Sequence, residues 1–92
     1  MLKPDDAIPG VIKLRIGQTY YEMGQFSNAV APLKDAVRLF PNDPEPHYSL
    51  SLTYVATGKQ DEVWNEYYLL LKLDKSLAGK LAREILNKFP KR

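Results

Sequence analysis

His47 is the only histidine and the chain has no cysteine. Imidazole or thiolate chemistry, whether a nucleophile–base relay or a soft metal site, therefore has one candidate residue. His47 follows Pro44-Glu45-Pro46, and no serine, second histidine or acid is spaced to complete a relay or a ligand set with it. It reads as a surface histidine at a helix start, with Glu45 near enough to favour its charged form. The acid pairs Asp5/Asp6 and Asp61/Glu62 fall at helix starts or at the chain terminus, where they offset the helix dipole and need no general acid–base role. The five glycines, at 10, 17, 24, 58 and 79, are isolated and form no phosphate-cradling loop. Lys80, Arg83, Lys88, Lys91 and Arg92 crowd the C-terminal end with only Phe89 among them, too narrow a footprint for nucleic acid. The chain thus reads as a non-enzyme with no cofactor, no metal and no nucleic-acid partner.

Bulk properties agree. At 92 residues there is room for one domain. A hydrophobic share of 45% excludes a disordered tail, and a net charge of +2 is too mild to draw a polyanion. No apolar run approaches the ~18 residues of a membrane span, so no membrane is expected as a partner. Met1-Leu2-Lys3-Pro4-Asp5-Asp6 has no apolar stretch to act as a secretory signal. With no cysteine to oxidise, a cytoplasmic location is expected.

The elements that must position any binding residues come from internal repetition. Shifted on itself by 34 residues, the chain aligns Tyr20 with Tyr54, Gly24 with Gly58, Ile16 with Leu50 and Leu39 with Leu73. Each unit reads as two helices. Val11–Met23 carries an apolar stripe through Ile12, Ile16 and Tyr20, and Gly24 breaks it. Phe26–Phe40 follows, with Phe26, Ala29, Val30, Leu33, Ala36, Val37 and Phe40 on one face, and stops at Pro41-Asn42-Asp43-Pro44. Pro32 removes one backbone hydrogen bond from this helix and predicts a bend, not a break, because the stripe continues through it. Glu45–Thr57 and Asp61–Leu73 repeat the scheme, with Asp61 at a helix start. Leu77–Phe89 makes a fifth, amphipathic helix. The domains are then residues 10–43 and 44–76 as two units and 77–92 as a closing helix with a basic tail. Residues 1–9 are a leading segment that resembles the tail of an upstream unit, which would make the chain a fragment of a longer repeat protein.

Ile16-Gly17-x2-Tyr20, Ala29-x3-Leu33, Ala36 and Pro41 resemble the signature of the tetratricopeptide repeats. Only the leading aromatic is missing, replaced by Lys13. Leu50-Ser51-x2-Tyr54 and Tyr67 carry the second unit, which departs at His47, Val63, Leu70 and Lys75. The resemblance implies an all-α, right-handed superhelical stack of antiparallel helix pairs, five helices in all. The small residues Gly17, Ser51, Ala29 and Ala36 belong where paired helices must approach closely, and Tyr20 and Tyr54 where large side chains must fill the space between units.

Stacks of this type bind proteins on a concave face lined by the first helix of each unit. By resemblance, that face holds Leu14, Gln18, Tyr21, Tyr48, Leu52, Val55 and Arg83. Several are apolar, which marks an interface for a peptide or helix of a partner. One subset of the family grips the carboxylate end of chaperone tails. Its contact positions match Leu14, Gln18, Ser49, Gly79 and Arg83 here, and only Arg83 agrees, so a chaperone tail is not the expected ligand. The alternative is a self-associating assembly or scaffold unit, with the groove filled by a second copy or by the N-terminal segment.

Overall fold

The computed structural model describes residues 4–89, and all regular structure within them is helical. The expected basic residues Lys91 and Arg92 lie outside that range. Five helices follow in order: α1 (Pro4–Glu22), α2 (Phe26–Leu39), α3 (Pro44–Thr57), α4 (Gln60–Leu73) and α5 (Lys75–Lys88). Each packs on the next, α5 also packs on α3, and α1 meets α3 only marginally. The result is an all-α helical-repeat solenoid.

Turn chemistry sets the element ends. Gly24 and Gly58 adopt φ of 76° and 78°, left-handed angles that glycine takes without a Cβ penalty. Behind each, the next amide reaches back to close the helix: Gln25 N–H donates to Tyr20 O, and Lys59 N–H to Tyr54 O, both at 2.9 Å. Asp43 starts α3 by accepting from Glu45 N–H at 3.0 Å, with Pro44 in the first turn, where its missing N–H costs nothing. Asp74 serves two helices. Its N–H closes α4 on Leu70 O at 2.7 Å, and its carboxylate caps α5 through Leu77 N–H at 3.1 Å.

Two expectations at the chain's prolines had different outcomes. α2 runs unbroken through Pro32. The first helix, however, starts at Pro4, ahead of the expected Val11, and runs through Pro9. Pro4 occupies the tolerated first position, and Pro9, lying beyond the four amides that lack intrahelical partners, costs the helix a single bond.

The core runs the length of the stack. Leu33, Ala36, Leu50, Val63, Leu70, Leu81 and Ile85 are all buried within it. The tightest contact joins α1 to α2. A Cβ at Gly17 would strike Leu33 Cγ and Cδ2, and one at Gly10 would sit 2.5 Å from Phe40 Cε2. Gly10 and Gly17 are two helical turns apart on one face of α1; Gly10 receives the Phe40 ring, and Gly17 receives Leu33 and approaches the Ala29 carbonyl.

Gly17→Ala should therefore lower unfolding free energy by about 1–3 kcal/mol, because Leu33 is sealed and has nowhere to move. Thermal melts followed by circular dichroism check this. Gly79→Ala is the control, since a Cβ there meets nothing within 4 Å, and it should hold or raise the melting temperature.

Candidate concave binding face

Because α1 and α3 barely touch, a cleft of about 330 Å³ opens between them. Gln18, Tyr21 and Glu22 of α1 face Glu45, Tyr48, Ser49 and Leu52 of α3 across it. A second cavity of about 290 Å³ continues it towards α5, bounded by Tyr21, Leu52, Val55, Ala56, Glu84, Asn87 and Lys88. Gln18 bridges the cleft. Its amide nitrogen donates to Glu45 Oε2 at 3.1 Å and to Ser49 Oγ at 3.0 Å. Tyr21 is steadied from the opposite side by Phe26, edge to face at 5.2 Å. Burial raises the hydroxyl pKa of both Tyr21 and Tyr48, and the Glu84 carboxylate raises each further. The cleft therefore has an apolar floor inside an acidic field.

The structure distributes the seven expected residues unevenly. Gln18, Tyr21, Tyr48 and Leu52 line the main cleft. Leu14 and Val55 were expected to be open, but they are buried in the core at 8% and 7% exposure; the fold itself uses them, and Val55 only borders the second cavity. Arg83 is exposed and lines neither cavity. α5 buries Ala78, Leu81 and Ile85, and at ~100° per residue Arg83 falls on the opposite side of the helix. Glu84, Asn87 and Lys88 therefore form the α5 wall of the second cavity.

His47 is also corrected. It is 3% exposed, not on the surface. It stands where the repeat signature places its leading aromatic, a position that faces the second helix of the pair. Nδ1 lies 2.6 Å from Glu66 Oε1 on α4, and Nε2 lies 2.8 Å from Pro41 O. Both partners only accept, so both ring nitrogens must donate and the imidazole is held as the cation. The Glu66 hydrogen bond dominates the resulting rise in the His47 pKa above 6.5; the Pro41 carbonyl and nearby carboxylates add to it against the opposing pull of burial. Lys13, at the same position one repeat earlier, pairs with Asp35 of α2 at 3.0 Å. That hydrogen bond from Lys13 lowers the Asp35 pKa.

A pKa raised by folding has a definite sign in stability. The His47 contribution is complete below pH 6.5, the ordinary histidine value, and is lost as pH rises through the higher folded value. The urea midpoint should fall across that window in the native chain. In Glu66→Gln the fall should shrink, because the neutral amide no longer favours the imidazolium; an identical pH profile for the two proteins would remove this assignment.

The comparisons with known proteins agree with the repeat geometry. A family model described as TPR repeat matches residues 17–58, from the close-contact glycine of α1 to the glycine that ends α3. No curated protein and no solved structure matches the chain significantly. The matched span covers the α2 and α3 helices and both of their flanking glycine turns, the segment in which the small-residue contact and the 34-residue spacing are clearest. Residues 17–58 are thus matched as a tetratricopeptide repeat, the kind of unit found in protein-interaction modules.

Proposed function

We propose that the cleft between α1 and α3 binds a peptide segment of a protein partner, taking apolar anchors on its floor and basic residues at its rim. One observation carries the reading: half-buried Tyr21, Tyr48 and Leu52 form the floor, and Glu22, Glu45 and Glu84 surround it. Partly exposed aromatics lose little entropy when a ligand covers them and supply most of the contact area of a hot spot. The carboxylates contribute orientation and on-rate. They also disfavour a terminal carboxylate, consistent with the poor match to the chaperone-tail clamp. Lys88 at the far end of the second cavity gives the acidic field a direction along the trough.

Selection from a displayed random peptide library, with the chain as bait, tests the proposal. Enriched sequences should combine two or more apolar anchors with Lys or Arg. Their synthetic versions should lose at least about tenfold in affinity to Tyr48→Ala and again to Leu52→Ala, by fluorescence anisotropy. Glu84→Lys should weaken binding and flatten its salt dependence. Peptides that bind the Tyr48→Ala, Leu52→Ala double variant as well as the native chain would refute the cleft as the site.

A further inference from the structure

The outer face of α1 is built to be covered. Ile12, Ile16, Thr19 and Met23 are spaced four, three and four residues apart, the spacing of a two-helix seam. The three larger residues are 51%, 42% and 59% exposed. One repeat later the same positions are Pro46, Leu50, Thr53 and Thr57. The first three of these are buried in α3, which packs on α2. The chain thus contains one sealed copy of this face and one open copy. A shallow apolar depression follows the open one. Thr19 is prepared for cover, because its hydroxyl already donates to Arg15 O at 2.8 Å.

The charged flank identifies what covers it. Arg15 and Glu22 are exposed and lie two turns apart along the same edge of the stripe. Run a second α1 antiparallel to the first, about a two-fold axis between Ile16 and Thr19. Ile16 then meets the second copy's Thr19, Ile12 meets its Met23, and Arg15 comes beside its Glu22. By symmetry, the reverse pair forms as well. A parallel arrangement sets Arg15 opposite the Tyr20 edge and leaves both charges unmatched. We infer that a second copy of this chain packs on α1, giving an antiparallel, isologous α1–α1 dimer.

This interface shares Glu22 with the rim of the peptide cleft and none of the apolar residues of its floor. Sedimentation equilibrium of the 92-residue chain should show a monomer–dimer equilibrium that saturates at the dimer. Ile16→Glu should abolish it while circular dichroism stays helical. Arg15→Glu changes only a surface residue. It should weaken the dimer about tenfold, since symmetry turns both attractive pairs into repulsive ones. The reversed double variant, Arg15→Glu with Glu22→Arg, should restore dimerisation to within about twofold. A strict monomer at high micromolar concentration overturns the inference. So does growth beyond the dimer, or a dimer indifferent to Arg15→Glu. Tyr48→Ala and Leu52→Ala should leave the equilibrium unchanged, so failure of the cleft and failure of this interface are told apart.

Discussion

The close approach of α1 and α2 along Gly10 and Gly17 governs what the rest of the chain can do. Two helices joined by a turn as short as Met23–Gln25 must lie antiparallel, and their backbones can come together only where side chains are removed. In the second pair Ser51 replaces Gly17. It is fully buried, and its hydroxyl donates to His47 O at 2.6 Å, so the polar atom is satisfied within its own helix and the small volume is kept. Repeating that contact places α1 and α3 on one side of the stack. Because their tight partners are α2 and α4, they remain apart from each other. The cleft is the space left by that division of contacts.

The same division explains the exchange of the leading aromatic for a cation in both units. Lys13–Asp35 is half exposed, so solvent screens most of its attraction. His47–Glu66 is almost sealed, so desolvation offsets much of its Coulomb attraction and the pair chiefly fixes register. The Pro41 carbonyl ties the α2–α3 turn into that register, so one imidazole holds a loop, α3 and α4 together.

Periodicity made α2, α3, α4 and α5 readable, because an apolar stripe and a glycine or proline stop are local features that tertiary packing had no reason to override. α1 begins earlier than expected because residues 1–9 resemble the tail of an upstream unit, whereas the chain is helical from Pro4. His47 was misread by weighing its chemistry above its position. Its place at the aromatic position of the second unit was the signal available. Tyr21, Tyr48 and Leu52 could be found through the family resemblance, whose concave positions hold on α1 and α3. Arg83 could not, since α5 packs through Ala78, Leu81 and Ile85 and turns Arg83 away. The burial of Leu14 depends on how α1 meets α2 and α3, and that of Val55 on how α3 meets its neighbours, which no local pattern encodes.

The stack has unlike ends, and the difference follows from solvent exposure. α5 turns Lys80, Arg83, Asn87 and Lys88 to water. α1 presents Ile12, Ile16 and Met23 instead. Tyr20 and Tyr54 measure the consequence: the same residue at the same repeat position is half-exposed in α1 and 7% exposed in α3. A cleft inside an acidic field selects a ligand by charge and by the anchors it can seat. An open helix face with opposite charges two turns apart on one edge selects by symmetry, since its own image is the simplest surface that matches it. The two faces share α1 and meet at Glu22, which lines the cleft and flanks the exposed stripe.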